Sequence, residues 1–142
     1  MGYLLAKLIF RMIGWRFTSK PDKSLQKFIM VIAPHTSMWD FVLGRIVFSI
    51  LRLKVRFMIK KEMFWFPLGP LIKWMGGLPV DRKRGGSMVN DIATLFAKKE
   101  RMVLVITPEG TRSSNPNWKR GFYSIAERSK VPLGLSYLDY EK

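Results

Sequence analysis

The stretch FIMVIAPHTSMWDFVLGRIVFSI, residues 28–50, decides the fold. Phe28 to Ala33 is an unbroken apolar run of the length of a buried strand. Pro34 and His35 break it into a turn. From Ser37 onward Phe41, Val42, Ile46, Val47 and Ile50 recur at helical spacing. Ser37 has the side chain of an N-cap, and Asp40 follows three residues later, the pattern of a capping box. A strand, a short loop and a helix in this order open an α/β unit, in which the helix carries the chain over to a parallel neighbour.

The pattern repeats downstream. Val55 to Ile59 reads as a second strand, followed by a turn at Lys60-Lys61-Glu62 and an aromatic cluster, Phe64, Trp65 and Phe66. Pro67, Gly69, Pro70 and Gly76-Gly77 punctuate the next segment and leave room for one short helix, Leu71 to Met75. Leu78 to Val80 is a short strand. Gly85 to Lys99 places Met88, Val89, Ile92, Leu95 and Phe96 on one helical face, opposite Asn90, Asp91 and Lys98. Met102 to Ile106 is an apolar strand, Thr107 to Trp118 a loop, Gly121 to Lys130 a helix, and Val131 to Leu138 a closing strand. The expected fold is α/β, a single domain with a mostly parallel central sheet flanked by helices and functional loops beyond the carboxyl ends of the strands.

The polar segment Ser19 to Lys27, with Pro21 and Asp22, separates this domain from the N-terminus. Over Tyr3 to Phe17 the residues Leu4, Leu5, Leu8, Ile9, Met12 and Ile13 recur at helical spacing, with Lys7 and Arg11 one turn apart. Residues 1–18 are thus expected to form an amphipathic basic helix, suited to lie at a membrane surface with its cations toward anionic lipid. Packing against its own domain is the alternative. The charges at Lys7, Arg11 and Arg16 lie inside the apolar run and no small-residue cleavage site follows, so the segment does not read as a signal peptide. Gly2 lacks the Ser or Thr at position six that myristoylation requires, since the chain has Ala6.

Composition narrows the function. A chain of 142 residues holds one domain, and 48% hydrophobic residues can supply its core. The formal charge of +15 is spread along the chain, 12 basic against 3 acidic residues in 1–71 and 13 against 7 in 72–142. That field favours an anionic partner. Without cysteine there is no disulfide, thiolate metal site or thiol nucleophile. No run of 18 uncharged apolar residues occurs, since Arg45 and Arg52 interrupt the longest candidate, so a spanning helix is not expected. Nucleic-acid binding has only the net charge in its favour and no recognition motif.

Three clusters can carry chemistry. His35 is the single histidine, hence the one imidazole available for proton transfer near neutral pH. Five positions on a continuous helix would turn His35 and Asp40 well apart, so the pair works only if the helix starts between them, with Ser37 as N-cap and Asp40 in the first turn. An oriented imidazole backed by a carboxylate is two-thirds of a catalytic triad, with a substrate hydroxyl in place of the enzyme serine. The structural alternative for Asp40 is the capping box alone. Pro108-Glu109-Gly110-Thr111-Arg112-Ser113, directly after a strand, has a glycine that brings N–H groups close to an anion, a guanidinium and a hydroxyl. Gly76-Gly77-Leu78-Pro79-Val80-Asp81-Arg82 permits close backbone approach and ends in a basic triplet that can grip phosphate or simply face solvent.

In order and spacing these blocks resemble the glycerolipid acyltransferase family, the 1-acylglycerol-3-phosphate acyltransferase-like enzymes. The four blocks of that family are H-x4-D, a glycine-to-arginine block, E-G-T-R-S and a Val-Pro-hydrophobic block. Here they read His35 to Asp40, Gly76 to Arg82, Glu109 to Ser113 and Val131-Pro132-Leu133, covering about residues 28–138. Pro34 stands where many members have Asn, and Thr107 where an aromatic often precedes the Pro-Glu-Gly run.

The resemblance implies an O-acyltransferase with His35 as general base and Asp40 as its orienting partner. It implies that Gly76, Arg82, Glu109, Gly110, Thr111 and Arg112 shape the acceptor and phosphate site. The acyl donor would be acyl-CoA or acyl-carrier protein and the acceptor a lysophospholipid or glycerol-phosphate-like lipid, with no cofactor and no metal. The expected location is peripheral, on the cytoplasmic face of the membrane. A non-enzymatic basic module that binds anionic membranes is the competing reading. Residues 28–142 form the expected acyltransferase domain, which ends at Lys142 where the resemblance leads one to expect a further strand or helix.

Overall fold

A computed structural model describes residues 2–22, 24–34, 37–110 and 115–140. Strands β1 (Lys27–Ile32), β2 (Val55–Lys60), β3 (Gly77–Val80), β4 (Met102–Ile106) and β5 (Leu133–Ser136) form one sheet in the order β3-β2-β4-β1-β5. Every pairing is parallel, so all five carboxyl ends point to one edge. The helices are α1 (Tyr3–Met12), α2 (Met38–Leu51), α3 (Leu68–Trp74), α4 (Gly85–Lys98) and α5 (Gly121–Ser129), with short 3-10 turns at Lys61–Met63 and Arg82–Arg84.

Crossover handedness sets the layers. The connections β1 to β2 and β2 to β3 step one way along the sheet, and β3 to β4 and β4 to β5 step the other way. Right-handed crossovers therefore put α2 and α3 on one face and α4 and α5 on the opposite face. Phe28, Met30, Val103 and Val105 pack with Phe48 of α2, whereas Ile29, Val31, Leu104 and Ile106 pack with Ile92, Phe96 and Ile125 of α4 and α5. The Arg45 guanidinium of α2 donates to the Met75 carbonyl just past α3, at 3.3 Å. Because β1 and β4 are covered on both faces, their sequences are continuous apolar runs rather than alternating ones.

Two elements depart from the periodicity. Helix α3 begins at Leu68 rather than Leu71, because Pro70 falls in the first turn, where its missing N–H deprives no carbonyl of a partner. Helix α1 stops at Met12 rather than continuing to Phe17, and Gly14 turns the chain at φ 75°. The alternative reading of α1 holds for one face: Ala6 and Phe10 are buried with Ile46 of α2, and Phe10 stacks on Phe17 at 4.7 Å. Arg52, just past α2, lies over the Tyr3 ring at 4.8 Å. The other face of α1 leaves Leu4, Leu5, Leu8 and Met12 exposed.

The strands are staggered at the carboxyl edge. Phe57 is level with both Val105 and Gly77. Ile59 and Lys60, paired with Pro79 and Val80, therefore run roughly 7 Å past the end of β4. The loop that follows β4 starts in the recess beside this ledge.

Candidate functional site

The expected base, His35, comes between β1 and α2 in the sequence and, with Thr36, falls outside the described residues. Its expected partner is defined in detail. Ser37 is the N-cap of α2, and its hydroxyl accepts the Trp39 N–H at 3.1 Å. Asp40, at N3, closes the capping box by accepting the Ser37 N–H on Oδ2 at 3.0 Å. Only 6% of Asp40 is exposed. A buried carboxylate in the first turn faces the positive end of the helix dipole, which favours its ionised form. The helix starts between His35 and Asp40, as the spacing requires.

A residue absent from the sequence reading completes this corner. Tyr140, beyond β5, donates its phenol to Asp40 Oδ1 at 2.5 Å, within the range of a charge-assisted O–H···O bond. The Tyr140 ring meets Trp15 edge-on at 5.3 Å between centroids. Burial, and next the hydrogen bond and charge of Asp40, raise the phenol above its ordinary value of 10.0. Nothing local could have announced this contact, which joins residues 100 positions apart.

At the end of β4 the chain turns through Thr107 to Gly110, where the Gly110 N–H donates to the Thr107 carbonyl at 3.2 Å. Gly110 sits at φ 66°, which favours glycine. A Cβ there would come within 3.2 Å of Lys119 Nζ, so an ammonium group overlies this backbone. The Lys119 N–H donates in turn to the Pro108 carbonyl at 2.9 Å. Glu109 is buried, and its carbonyl accepts from Asn115 Nδ2 at 3.4 Å. Thr111 and Arg112 lie outside the described residues.

The third block divides. The backbone of Arg82 stands at the carboxyl end of β3, in the turn Arg82–Arg84. Beside it a cleft of about 300 Å³ is lined by Lys61, Val80, Asp81 and Arg84, among others. Lys61 Nζ pairs with Asp81 Oδ2 at 2.6 Å, which raises the ammonium and lowers the carboxyl from their ordinary values. Gly76 stands elsewhere, at the amino end of β3, roughly 13 Å along the strand from Val80. It has φ 97°, and a Cβ would come 2.6 Å from the Val55 carbonyl oxygen. The glycine is required for the close approach of β3 to β2, and the structure does not bring it to the other site residues.

Asp40 thus follows β1, and Glu109 and Gly110 follow β4, at the carboxyl ends of adjacent strands, with the Arg82 backbone two strands from β4 on the same edge. Basic residues gather at the opposite edge as well. Lys54, Arg56, Lys98, Lys99 and Arg101 line a cleft of about 480 Å³ at the amino ends of β2 and β4.

The family model described as Acyltransferase matches residues 16–134, well over half the chain. A 1-acyl-sn-glycerol-3-phosphate acyltransferase of Cocos nucifera is 27% identical over 138 residues, 93% of this chain and 44% of that protein. One of Streptococcus pneumoniae (strain ATCC BAA-255 / R6) is 32% identical over 117 residues, 82% of this chain and 43% of that protein. The chain therefore spans less than half the length of the curated relatives it matches. No solved structure matches it significantly. With the family model spanning four of the five strands of this parallel sheet and part of the fifth, this chain belongs to the acyltransferase family.

Proposed function

We propose that this chain is a membrane-surface O-acyltransferase domain. It moves a fatty acyl group from acyl-CoA or acyl-carrier protein to the hydroxyl of a lysophospholipid or glycerol-phosphate-like acceptor. The observation that carries this reading is the buried Asp40 carboxylate in the first turn of α2, positioned by its own capping box directly after the His35 loop. Membership of the acyltransferase family supports the reaction class. His35, as general base, takes the proton of the acceptor hydroxyl, and Asp40 stabilises the resulting imidazolium. The acceptor oxygen bonds to the thioester carbonyl carbon, giving a tetrahedral oxyanion. The C–S bond then breaks, the carbonyl re-forms as an ester, and the thiolate leaves with the imidazolium proton.

The phosphate of the acceptor is assigned to the glycine loop after β4, through Gly110, Thr111 and Arg112, with Arg82 on the flank. Incubation with an acyl-CoA and a lysophospholipid panel, followed by mass spectrometry, should yield an acylated lipid together with stoichiometric free thiol. Thiol release without acylated lipid would make the chain a thioesterase. Membrane binding with neither product would establish the non-enzymatic module instead.

The location follows from α1. Its inner face is occupied by α2, so Leu4, at 78% exposure, and Met12, at 76%, with Leu5 and Leu8, form an apolar stripe flanked by Lys7 and Arg11. Such a stripe inserts into the headgroup region, and the anionic cytoplasmic leaflet suits a chain of charge +15. No helix among the described residues is long and apolar enough to cross a membrane. The paired substitution Leu4→Glu/Leu8→Glu leaves the buried face of α1 intact. It should weaken flotation with phosphatidylserine-containing liposomes by about tenfold or more. Flotation equal to wild type would remove α1 as the anchor.

A further inference from the structure

We propose that Tyr140 is a positioning residue for the acyl transfer: its phenol fixes the Asp40 carboxylate, and Trp15 holds the phenol in place. The inference rests on the preceding reading of Asp40 as the partner of the catalytic base.

Asp40 has two oxygens to be oriented, and the fold addresses each separately. Oδ2 takes the Ser37 N–H at 3.0 Å, a contact made within the first turn of α2. Oδ1 takes the Tyr140 phenol at 2.5 Å, a contact delivered from the far end of the chain. With one donor on each oxygen, rotation of the carboxylate about its last bond would break both bonds at once. A carboxylate has about four lone-pair sites, so these two donors are compatible with its also accepting an imidazole N–H. A carboxylate that orients an imidazole must itself be held, and a bond to a buried charge is the strong class of hydrogen bond.

The phenol needs its own support, because Tyr140 lies in an irregular segment after β5 and half of the residue is exposed. Trp15 supplies it from the opposite end of the chain, edge-on at 5.3 Å. Trp15 is tied in turn to α1: its N–H donates to the Phe10 carbonyl at 3.2 Å, and it packs beside Phe10 and Ile46. The chain of contacts runs α1, Trp15, Tyr140, Asp40, so the segment that carries the exposed apolar stripe also braces the carboxylate. A capping role alone would need none of this, since the Ser37 contact already completes the cap.

The test compares wild type, Tyr140→Phe, Trp15→Leu and Asp40→Asn in the full chain, with Tyr137→Phe, an exposed neighbour on the same segment, as control. Phenylalanine keeps the ring against Trp15 and removes the hydroxyl, with its contacts to Asp40 and to the Ser37 side chain. Tyr140→Phe should lower kcat by about tenfold or more while KM stays within about twofold, since the lost contact acts on the transition state. Trp15→Leu should lower kcat in the same way but by less, and Tyr137→Phe should leave both constants unchanged. Spectroscopy supplies an arm that needs no turnover: ionisation of Tyr140, read as the difference between wild type and Tyr140→Phe, should move to lower pH in the Asp40→Asn background. Wild-type kcat in Tyr140→Phe beside an impaired Asp40→Asn would overturn the positioning role and leave the base assignment standing. So would an unchanged phenol titration in Asp40→Asn. Wild-type turnover by Asp40→Asn would instead sink the reading of the site itself, and this proposal with it.

Discussion

Replacing His35 with alanine is expected to lower kcat for thioester-dependent acylation by a factor of roughly 10² to 10⁴, the usual contribution of a positioned general base. The expectation is sharp because the chain holds one histidine and no cysteine, so no other imidazole and no thiol can take over. An unassisted lipid hydroxyl is a poor nucleophile at neutral pH, and without the base the proton must leave to water. The loss should fall on kcat, with KM for the acyl donor little changed, because the imidazole acts on the acceptor hydroxyl during attack. Whatever turnover remains should lose its pH dependence between about pH 5 and 8, the range in which an imidazole titrates. Thiol release followed by a colorimetric reagent measures all three quantities, and equal release by wild type and variant would remove His35 as the base.

Asp40→Asn has a comparable expected effect, a loss in kcat of about 10³ by analogy with the carboxylate of a catalytic triad. Asparagine preserves the shape of the site, since its amide oxygen can still accept one of the two contacts now made by the Ser37 N–H and the Tyr140 phenol. It removes the charge that stabilises an imidazolium and the acceptor that fixes its tautomer. The substitution also weakens a cap, and that cost is about 1 kcal/mol of stability. Thermal unfolding separates the two consequences: a small change in Tm with a large loss in kcat identifies a catalytic carboxylate, whereas a large fall in Tm with proportional loss of activity identifies a capping residue only.

These two variants bear on the part of the site that the sequence describes best. The cap at Ser37 and the placement of Asp40 in the first turn were legible because N-caps and capping boxes are written within four residues. The strand cores Met102 to Ile106 and Phe28 to Ile32 were legible for a related reason. A strand buried on both faces shows itself as a continuous apolar run between turn residues.

The surroundings of other residues lack the same locality. Gly76 looked like part of a phosphate-binding block because it precedes Arg82 in sequence, yet it serves the packing of β3 against the Val55 carbonyl. A glycine needed for close backbone approach has the same identity whether the neighbour is a ligand or a strand. Lys61 read as a turn residue. Its pairing with Asp81 depends on β2 and β3 being neighbours with level ends, which neither segment encodes alone. The amphipathic pattern of α1 was real but ambiguous, since apolar residues surround most of that helix. Only the docking of Ala6 and Phe10 on Ile46 assigns one face to the domain and leaves the other to the surroundings.

The sequence by itself therefore determined the α/β class, the extent of most strands and helices, and the cap that separates His35 from Asp40. Each is dictated by side chains within a few residues of one another, through periodicity, turn chemistry and backbone hydrogen bonding. Tertiary structure decided the strand order β3-β2-β4-β1-β5, the ledge beside the β4 loop, and the partner of the carboxylate. These depend on which apolar faces bury one another, a property of the whole sheet and its crossovers. That packing brings Trp15, Asp40 and Tyr140, spread over nearly the entire chain, to a single corner.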